Sequence, residues 1–286
     1  MAQYDAPAIV EYVLKATATS GHRTVGYVGY SQGTASIFAL LTLQPSYADI
    51  IRPVIALAPV STVADIKSPI RYLAPLNPVL RAVGGEFAFS SPYVNWLSKM
   101  LCRNYVEEKY ICENVVFLFS GFDAAHLNCT RIPVYFQFLP STVSTWEIAH
   151  WGQLVSSGRF ARFDYGSEAE NRAIYGTPQP PDFVLGRIPA NATIALLRGQ
   201  NDYLSSVPDQ ERLIRVLKQN SVNLVDYVVP DPRWTHIDFA IGKSKWGGEF
   251  WEFKGADCGF FSLFADAGRL VYDKVIEVLD KYTSSD

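Results

Sequence analysis

The chain has 286 residues, of which 49% are hydrophobic and 19% charged, and its net charge is −3. A chain of this length and composition can bury a large core, so we expect one large domain with room for an inserted subdomain. The slightly acidic balance, without a basic stripe, argues against a nucleic-acid partner.

The sequence gives no sign of a membrane span or an export signal. No apolar run approaches the roughly 20 residues that cross a bilayer. Asp5 and Glu11 stand where a signal peptide would carry a basic patch and an uninterrupted apolar block. We therefore predict no transmembrane segment and no signal peptide in this chain.

Cysteines and glycosylation sequons bear on the redox compartment. The four cysteines are too few for a disulfide scaffold and lack Cys-x-x-Cys spacing, so we predict no metal site. Cys102 and Cys112 could close a short loop or remain unpaired. Sequons begin at Asn128 and Asn191. About one or two such triplets arise by chance in a chain of this length, so they decide little.

The first elements in chain order predict a strand–helix–strand unit. Residues 7–16 read as a helix, with Pro7 in its first turn. A strand beginning at residue 25 leads into a turn and then an apolar helix that ends near residue 43, before Pro45. Residues 52–58 form a continuous apolar run typical of a strand buried on both faces.

Two more strands of this kind are predicted far along the chain, at residues 192–197 and 222–229, with a helix at 208–219 between them. The alternation of strands and helices indicates an α/β fold with a parallel sheet. A final helix is predicted at 267–281. The stretch 245–264, which has four glycines and seven aromatic residues, shows no clean period.

Residues 60–187 differ in composition, with aromatic-rich segments broken by proline and glycine. An insertion of this length between two sheet strands requires a subdomain, which we interpret as a mainly helical cap. Its aromatic side chains would pack a core or line an apolar substrate tunnel. The predicted domains are therefore a core of residues 1–59 and 188–286 and a cap of residues 60–187.

Ser31 lies in the sequence Gly29-Tyr30-Ser31-Gln32-Gly33, between the first predicted strand and the helix that follows. A sharp strand-to-helix turn strains the central residue and presents its side chain, and the flanking glycines remove Cβ clashes. This pattern predicts a nucleophilic serine. The alternative is an ordinary glycine-flanked turn.

A nucleophilic serine needs a base, and the chain has four histidines. His22 precedes the first strand and is expected to face solvent. His126 is predicted to be a surface residue of the cap, and His150 a packed, hydrogen-bonded residue of a helix. His236 follows the last predicted strand in a loop, which is where hydrolases with such a serine turn place the base.

The acid is expected after the preceding strand, and Asp202 stands there, just beyond a glycine-containing turn. Asp209 is predicted to be a first-turn helix residue favoured by the helix dipole. Asp226 lies inside a strand and Asp238 follows the histidine, so Asp202 is the preferred candidate. Its alternative role is that of a turn-forming residue, which is compatible with catalysis.

Residues 4–34, 118–153, 163–176 and 234–242 resemble the acid lipase family, which includes gastric and lysosomal acid lipases. The similarity covers nearly the whole chain except residues 245–264. It implies an α/β-hydrolase fold, with a partial parallel sheet here because the early strands are absent, and an inserted, mainly helical cap.

By this resemblance the catalytic triad falls on Ser31, Asp202 and His236, and the backbone amide of Gln32 contributes to the oxyanion hole. The resemblance implies no metal and no cofactor. Cys102 and Cys112 resemble cysteines of the lid region that form a bridge in some members. For the full-length parent the resemblance implies a lysosomal or secreted location.

Three features depart from the family. Family members usually have histidine where Tyr30 stands. They continue almost directly from the catalytic histidine region into the last helix, so residues 245–264 look like an insert. They also have a longer N-terminal part, which supplies a second oxyanion-hole amide and strands beside the serine strand. We therefore expect this chain, expressed as written, to hydrolyse esters poorly.

The resemblance implies hydrolysis of the carboxylic esters of neutral lipids, triacylglycerols or cholesteryl esters, with transient contact to a lipid interface. One alternative is a catalytically inactive fragment that binds lipid or protein. Another is a non-lipid esterase or acyltransferase that uses the same triad. Substrate chain-length preference distinguishes the second alternative from a lipase.

Overall fold

The computed structural model describes residues 1–83, 85–87, 108–127, 131, 135, 142–242 and 268–283. The strands in these ranges are β1 Val25–Tyr30, β2 Ile51–Leu57, β3 Glu86–Phe87, β4 Val143–Ser144, β5 Thr193–Arg198 and β6 Asn223–Val228. The helices are α1 Asp5–Ala16, α2 Gln32–Leu43, α3 Asn77–Val83, α4 Glu108–Ser120, α5 Thr145–Ser157, α6 Glu168–Tyr175, α7 Val207–Gln219, α8 Asp238–Ile241 and α9 Asp273–Thr283.

Four of these strands form a parallel sheet in the order β1-β2-β5-β6. β2 and β5 lie at its centre, and their side chains are almost completely buried. This burial explains why both strands read as continuous apolar runs, since a central parallel strand is covered on both faces. A separate two-stranded antiparallel sheet pairs β3 with β4.

Side chains of the central strands alternate between two cores. Val54 and Ala56 of β2 pack with the buried residues of α2 on one face, together with parts of α1 and α7. Ile55 and Leu57 point to the opposite face, where they pack with residues of α9 and with Trp234. The period-2 alternation of a strand produces this arrangement of helices on both faces of the sheet.

The predicted core elements agree with the structure to within a few residues, except that the last helix, predicted at 267–281, is Asp273–Thr283. The strand predicted at 52–58 is Ile51–Leu57, and the helix predicted at 208–219 is Val207–Gln219. The last helix is preceded by a π-helical turn, Gly268–Tyr272. The α/β class with a parallel sheet is confirmed.

The predicted cap lies between β2 and β5 along the chain, and helices α3 to α6 belong to it. Its division from the core at residues 60 and 187 remains a prediction. Val60, Val63 and Ile66 form a small cluster with Leu154 of α5.

The stretch 245–264 lies outside the described residues. In the part of the chain that is described, no helix combines the length and apolar character of a membrane span.

Candidate active site

Ser31 forms the turn between β1 and α2. Its backbone has φ 52° and ψ −114°, a left-handed conformation that is strained for a residue with a side chain. A Cβ on Gly29 would lie 3.0 Å from the carbonyl carbon of Gly33, so the turn requires glycine at position 29. The serine nitrogen donates to the carbonyl of Leu57, at 3.0 Å, which fixes the turn to β2.

The structure brings Ser31, His236 and Asp202 together. His236 Nε2 lies 2.7 Å from Ser31 Oγ, and His236 Nδ1 lies 2.8 Å from Asp202 Oδ2. The carboxylate can only accept, so Nδ1 carries the proton, and Nε2 is then free to accept the serine proton. The histidine and the aspartate are buried, whereas the serine is partly exposed.

The three side chains meet because their residues follow the carboxyl ends of β1, β5 and β6, which lie at the same edge of the parallel sheet. Asp202 is held in place by the backbone N–H groups of Leu204 and Ser205, which donate to Oδ1 at 2.8 and 2.7 Å. The turn before Asp202 passes close to the loop of residues 229–237, here called the histidine loop because it carries His236. A Cβ on Gly199 would lie only 2.4 Å from the Trp234 carbonyl oxygen.

Tyr30, next to the serine, makes a contact that the sequence did not reveal. Its hydroxyl donates to the backbone carbonyl of His236 at 3.0 Å, and the two rings lie 5.3 Å apart. Burial, with the nearby carboxylate of Asp202, raises the pKa of Tyr30, which keeps the hydroxyl protonated as a donor. Tyr30 thus ties the histidine loop to the serine turn.

Gln32 is the first residue of α2. Its backbone N–H is therefore one of the four that a helix leaves without an intrahelical acceptor, and the positive end of the helix dipole lies there. This position next to the serine suits the stabilisation of an oxyanion. Its role in an oxyanion hole stays a prediction.

Two of the other histidines are placed as expected. His22 is exposed. His150 is packed in α5, and its Nε2 donates to the carbonyl of Ala161 at 2.9 Å. Burial lowers the pKa of His150, which favours the neutral ring.

The prediction that His126 is a surface residue is wrong. Its exposure is 2%, and its Nδ1 contacts the buried carboxylate of Asp123. The polar residues next to His126 in the sequence suggested a solvent-exposed position. In the folded chain its ring also packs against Trp234, with 5.0 Å between the ring centroids.

The other aspartates considered for the acid have structural contacts elsewhere. Asp209 is in the first turn of α7, as predicted, and it accepts from Thr62 Oγ1 at 2.9 Å and from the backbone N–H of Ala64. Asp226 lies within β6 and pairs with Arg198 at 2.7 Å.

Asp238 is buried beside the histidine loop, and its Oδ2 accepts from the N–H and the hydroxyl of Thr235 at 2.8 and 2.6 Å. Burial raises its pKa to about 6 from 3.8, the nearby Asp123 also raises it, and His126 and the Thr235 bonds lower it. The folded protein therefore holds this proton more tightly than the unfolded chain does.

The contribution of Asp238 to the free energy of unfolding is thus fully present below about pH 4 and is lost as the pH rises through about 6. The wild-type free energy of unfolding should therefore fall by about 3 kcal/mol over this pH range, for a difference of about two pKa units. We expect this decrease to be absent in Asp238→Asn, whose side chain does not titrate. Urea unfolding of both proteins at pH 4, 5, 6 and 7 measures it. Parallel stability curves for the two proteins would contradict the expectation.

Among the described residues, Asp123, His126 and Asp238 form a group whose potential metal-binding atoms lie within 4.8 Å of one another. His126 Nδ1 is paired with Asp123, and Asp238 Oδ2 is bonded to Thr235. These atoms are thus already satisfied within the protein, and we assign no metal to them. The predicted lack of a cofactor remains a prediction.

Three further predicted residues fall partly or wholly outside the described part of the chain. Cys102 and Asn128 lie outside it, and of Cys112 only the backbone, in α4, is described. The predicted disulfide and the first glycosylation site therefore remain predictions. Asn191 is exposed in the turn before β5, where its side chain donates to Asp49 at 2.6 Å.

The chain is similar in sequence to known lipases. The chain is 32% identical over 245 residues to lipase member M of Mus musculus, covering 85% of this chain and 56% of that protein. It is 32% identical over 285 residues to the human lysosomal acid lipase/cholesteryl ester hydrolase, covering 99% of this chain and 63% of that protein. These relatives, at about 32% identity over most of the chain, are acid lipases, so the chain is similar to that family.

The chain spans 56% of the length of the first of these relatives and 63% of the length of the second. No family model matches it. A solved homoserine O-acetyltransferase from Bacillus anthracis aligns with 97% of this chain and 66% of its own, at 13% identity and a TM-score of 0.43, which is too low to bear on function. The α/β class itself is supported by the chain's own parallel sheet, which has helices on both faces.

Proposed function

We propose that this chain carries the catalytic centre of a serine ester hydrolase that acts on neutral lipids, triacylglycerols or cholesteryl esters. The observation that carries the proposal is the hydrogen-bonded series from Ser31 through His236 to Asp202, with the serine on a strained turn. These are the parts of an activated nucleophile, in the chain order of lipases and esterases.

In the proposed reaction Ser31 Oγ attacks the acyl carbonyl of the ester while His236 Nε2 takes its proton. The Gln32 N–H stabilises the negative charge that develops on the carbonyl oxygen. His236 then gives the proton to the departing alcohol, which leaves an acyl-enzyme. Water, deprotonated by His236, releases the fatty acid, and Asp202 holds the imidazole in the required tautomer throughout.

A cavity of about 450 Å³ supports an apolar acyl group as the substrate. It is lined by Gln32 of the serine turn and by aromatic side chains, among them Trp146, Trp151, Phe163 and Phe183. Its volume is that of a small-ligand pocket, and its lining combines these aromatic side chains with the polar side chains of Glu147, His150 and Arg162.

Contact with a lipid interface is part of the proposal. Exposed apolar side chains lie along the 3₁₀ helix Pro69–Leu76 of the predicted cap and the start of α3, and they are Ile70, Tyr72, Leu73, Leu76 and Val79. A group of this kind is unusual on a surface that contacts only water. For the whole protein we propose a lysosomal or secreted location, and the human relative is by name a lysosomal protein.

The test is a chain-length series of esters, with p-nitrophenyl acetate, butyrate and decanoate, and with emulsified triolein and cholesteryl oleate. Because turnover by this chain is expected to be slow, the activated esters serve for detection. We expect kcat/KM to rise with acyl length and both lipids to be hydrolysed. Preference for acetate over decanoate, with no lipid hydrolysed, would instead indicate a non-lipid esterase.

A further inference from the structure

Residues 120–127, here called the brace, touch both loops that carry the acid and the base. The carbonyl of Ser120 accepts from the backbone N–H of Tyr203 and from that of His236, each at 3.3 Å. The carbonyl of Phe122 accepts from the side chain of Asn201 at 2.9 Å. A segment from the middle of the chain thus bonds to residues adjacent to Asp202 and to His236 itself.

The brace approaches these loops too closely for a side chain at its second residue. Gly121 has φ +117°, and a Cβ there would lie 2.2 Å from the Asn201 carbonyl oxygen and 3.0 Å from Thr235 Cγ2. Only glycine fits this conformation and this contact. The position of the brace is therefore coupled to the positions of both loops.

His126 fastens the far end of the brace to the histidine loop. Its Nδ1 contacts Asp123 of the brace, and its Nε2 lies 3.4 Å from Asp231 Oδ2, five residues before His236. A carboxylate offers only acceptors, so each ring nitrogen of His126 faces an acceptor, one on Asp123 and one on Asp231.

Asp231, the second partner of His126, has a further charged neighbour. Asp231 also pairs with Arg233 at 2.7 Å, which lowers its pKa to about 2 and keeps it ionised. Asp123 and His126 are both buried, so removing the imidazole would leave a buried carboxylate without this partner. We therefore expect the contact between the brace and the histidine loop to depend on His126.

We propose that His126 is a positioning residue, which holds the loop of His236 at bonding distance from Ser31 and Asp202 through Asp123 and Asp231. This inference rests on the proposed function. His126 touches no triad atom and acts only through the brace and the loop. A misplacement of about 1 Å in a catalytic group can lower a rate about 100-fold.

The experiment compares the wild-type chain with His126→Leu, which removes both donors, and His126→Asn, which keeps one donor toward Asp123. His22→Leu, at an exposed histidine, is the matched control. We measure kcat and KM on p-nitrophenyl butyrate and the proton NMR resonance of the proton shared by His236 Nδ1 and Asp202. Circular dichroism and active-site titration give the folded, competent fraction.

For His126→Leu we expect kcat to fall about 100-fold at nearly constant KM, with loss of the shared-proton resonance. His126→Asn should recover most of kcat, and His22→Leu should match the wild type. If His126→Leu does not fold, Asp231→Asn, at a partly exposed side chain, should show a smaller loss in the same direction.

A folded His126→Leu protein with wild-type kcat and an unchanged resonance would overturn the proposal. Loss of the wild-type resonance on addition of EDTA would also overturn it. That result would indicate a metal bound by Asp123, His126 and Asp238 in place of the direct contacts described above. If the wild-type chain hydrolyses no ester, the proposed function fails, whereas the resonance still reports whether His126 positions His236.

Discussion

Ser31→Ala is expected to abolish hydrolysis of an activated ester by this chain, a loss of about 10⁴-fold or more in kcat. The reason is that the proposed acyl-enzyme forms on Ser31 Oγ, which the strained turn presents at 2.7 Å from His236 Nε2. The measurement is release of p-nitrophenol from the butyrate ester by purified, folded protein.

The matched control for this substitution is Ser20→Ala, at an exposed serine outside the site. It should retain the wild-type rate. Turnover by Ser31→Ala at more than about a tenth of the wild-type rate would show that the observed hydrolysis does not pass through this serine.

Asp202→Asn is expected to lower kcat about 10⁴-fold while leaving the fold intact. An amide nitrogen facing Nδ1 donates where the carboxylate accepted, so the imidazole proton moves to Nε2. That nitrogen then lacks the lone pair that must accept the proton of Ser31. Steady-state kinetics measure the loss, and circular dichroism verifies the fold.

Asp226→Asn is the matched control. Asp226 of β6 is paired with Arg198 of β5 and takes no part in the proposed site. It should change stability slightly and kcat little. A kcat for Asp202→Asn within about tenfold of the wild type would contradict the assignment of Asp202 as the orienting acid.

Much of the core could be predicted from the sequence because its signals are local. The parts of β2 and β5 that are buried on both faces, residues 53–57 and 194–197, are uninterrupted apolar runs. The serine turn carries its signal in five consecutive residues. His236 could be selected because the chain has four histidines and the order of serine, acid and base is fixed in such folds.

The surroundings of the triad could not be predicted because they depend on contacts between distant parts of the chain. His126 meets Asp231, which lies 105 residues further on, and the sequence around His126 is polar and resembles a surface loop. Likewise, no pattern in the sequence links Tyr30 to the carbonyl of His236. Such contacts have no periodicity, so only the folded structure reveals them.

Covalent labelling of the folded chain by a fluorophosphonate tests whether Ser31 is a nucleophile activated by His236 and Asp202, with the adduct located by peptide mass spectrometry. A single turnover suffices for this labelling. We expect one adduct, on Ser31, whose formation is lost in His236→Ala. A folded chain that forms no adduct, or forms one on a different residue, would contradict this expectation.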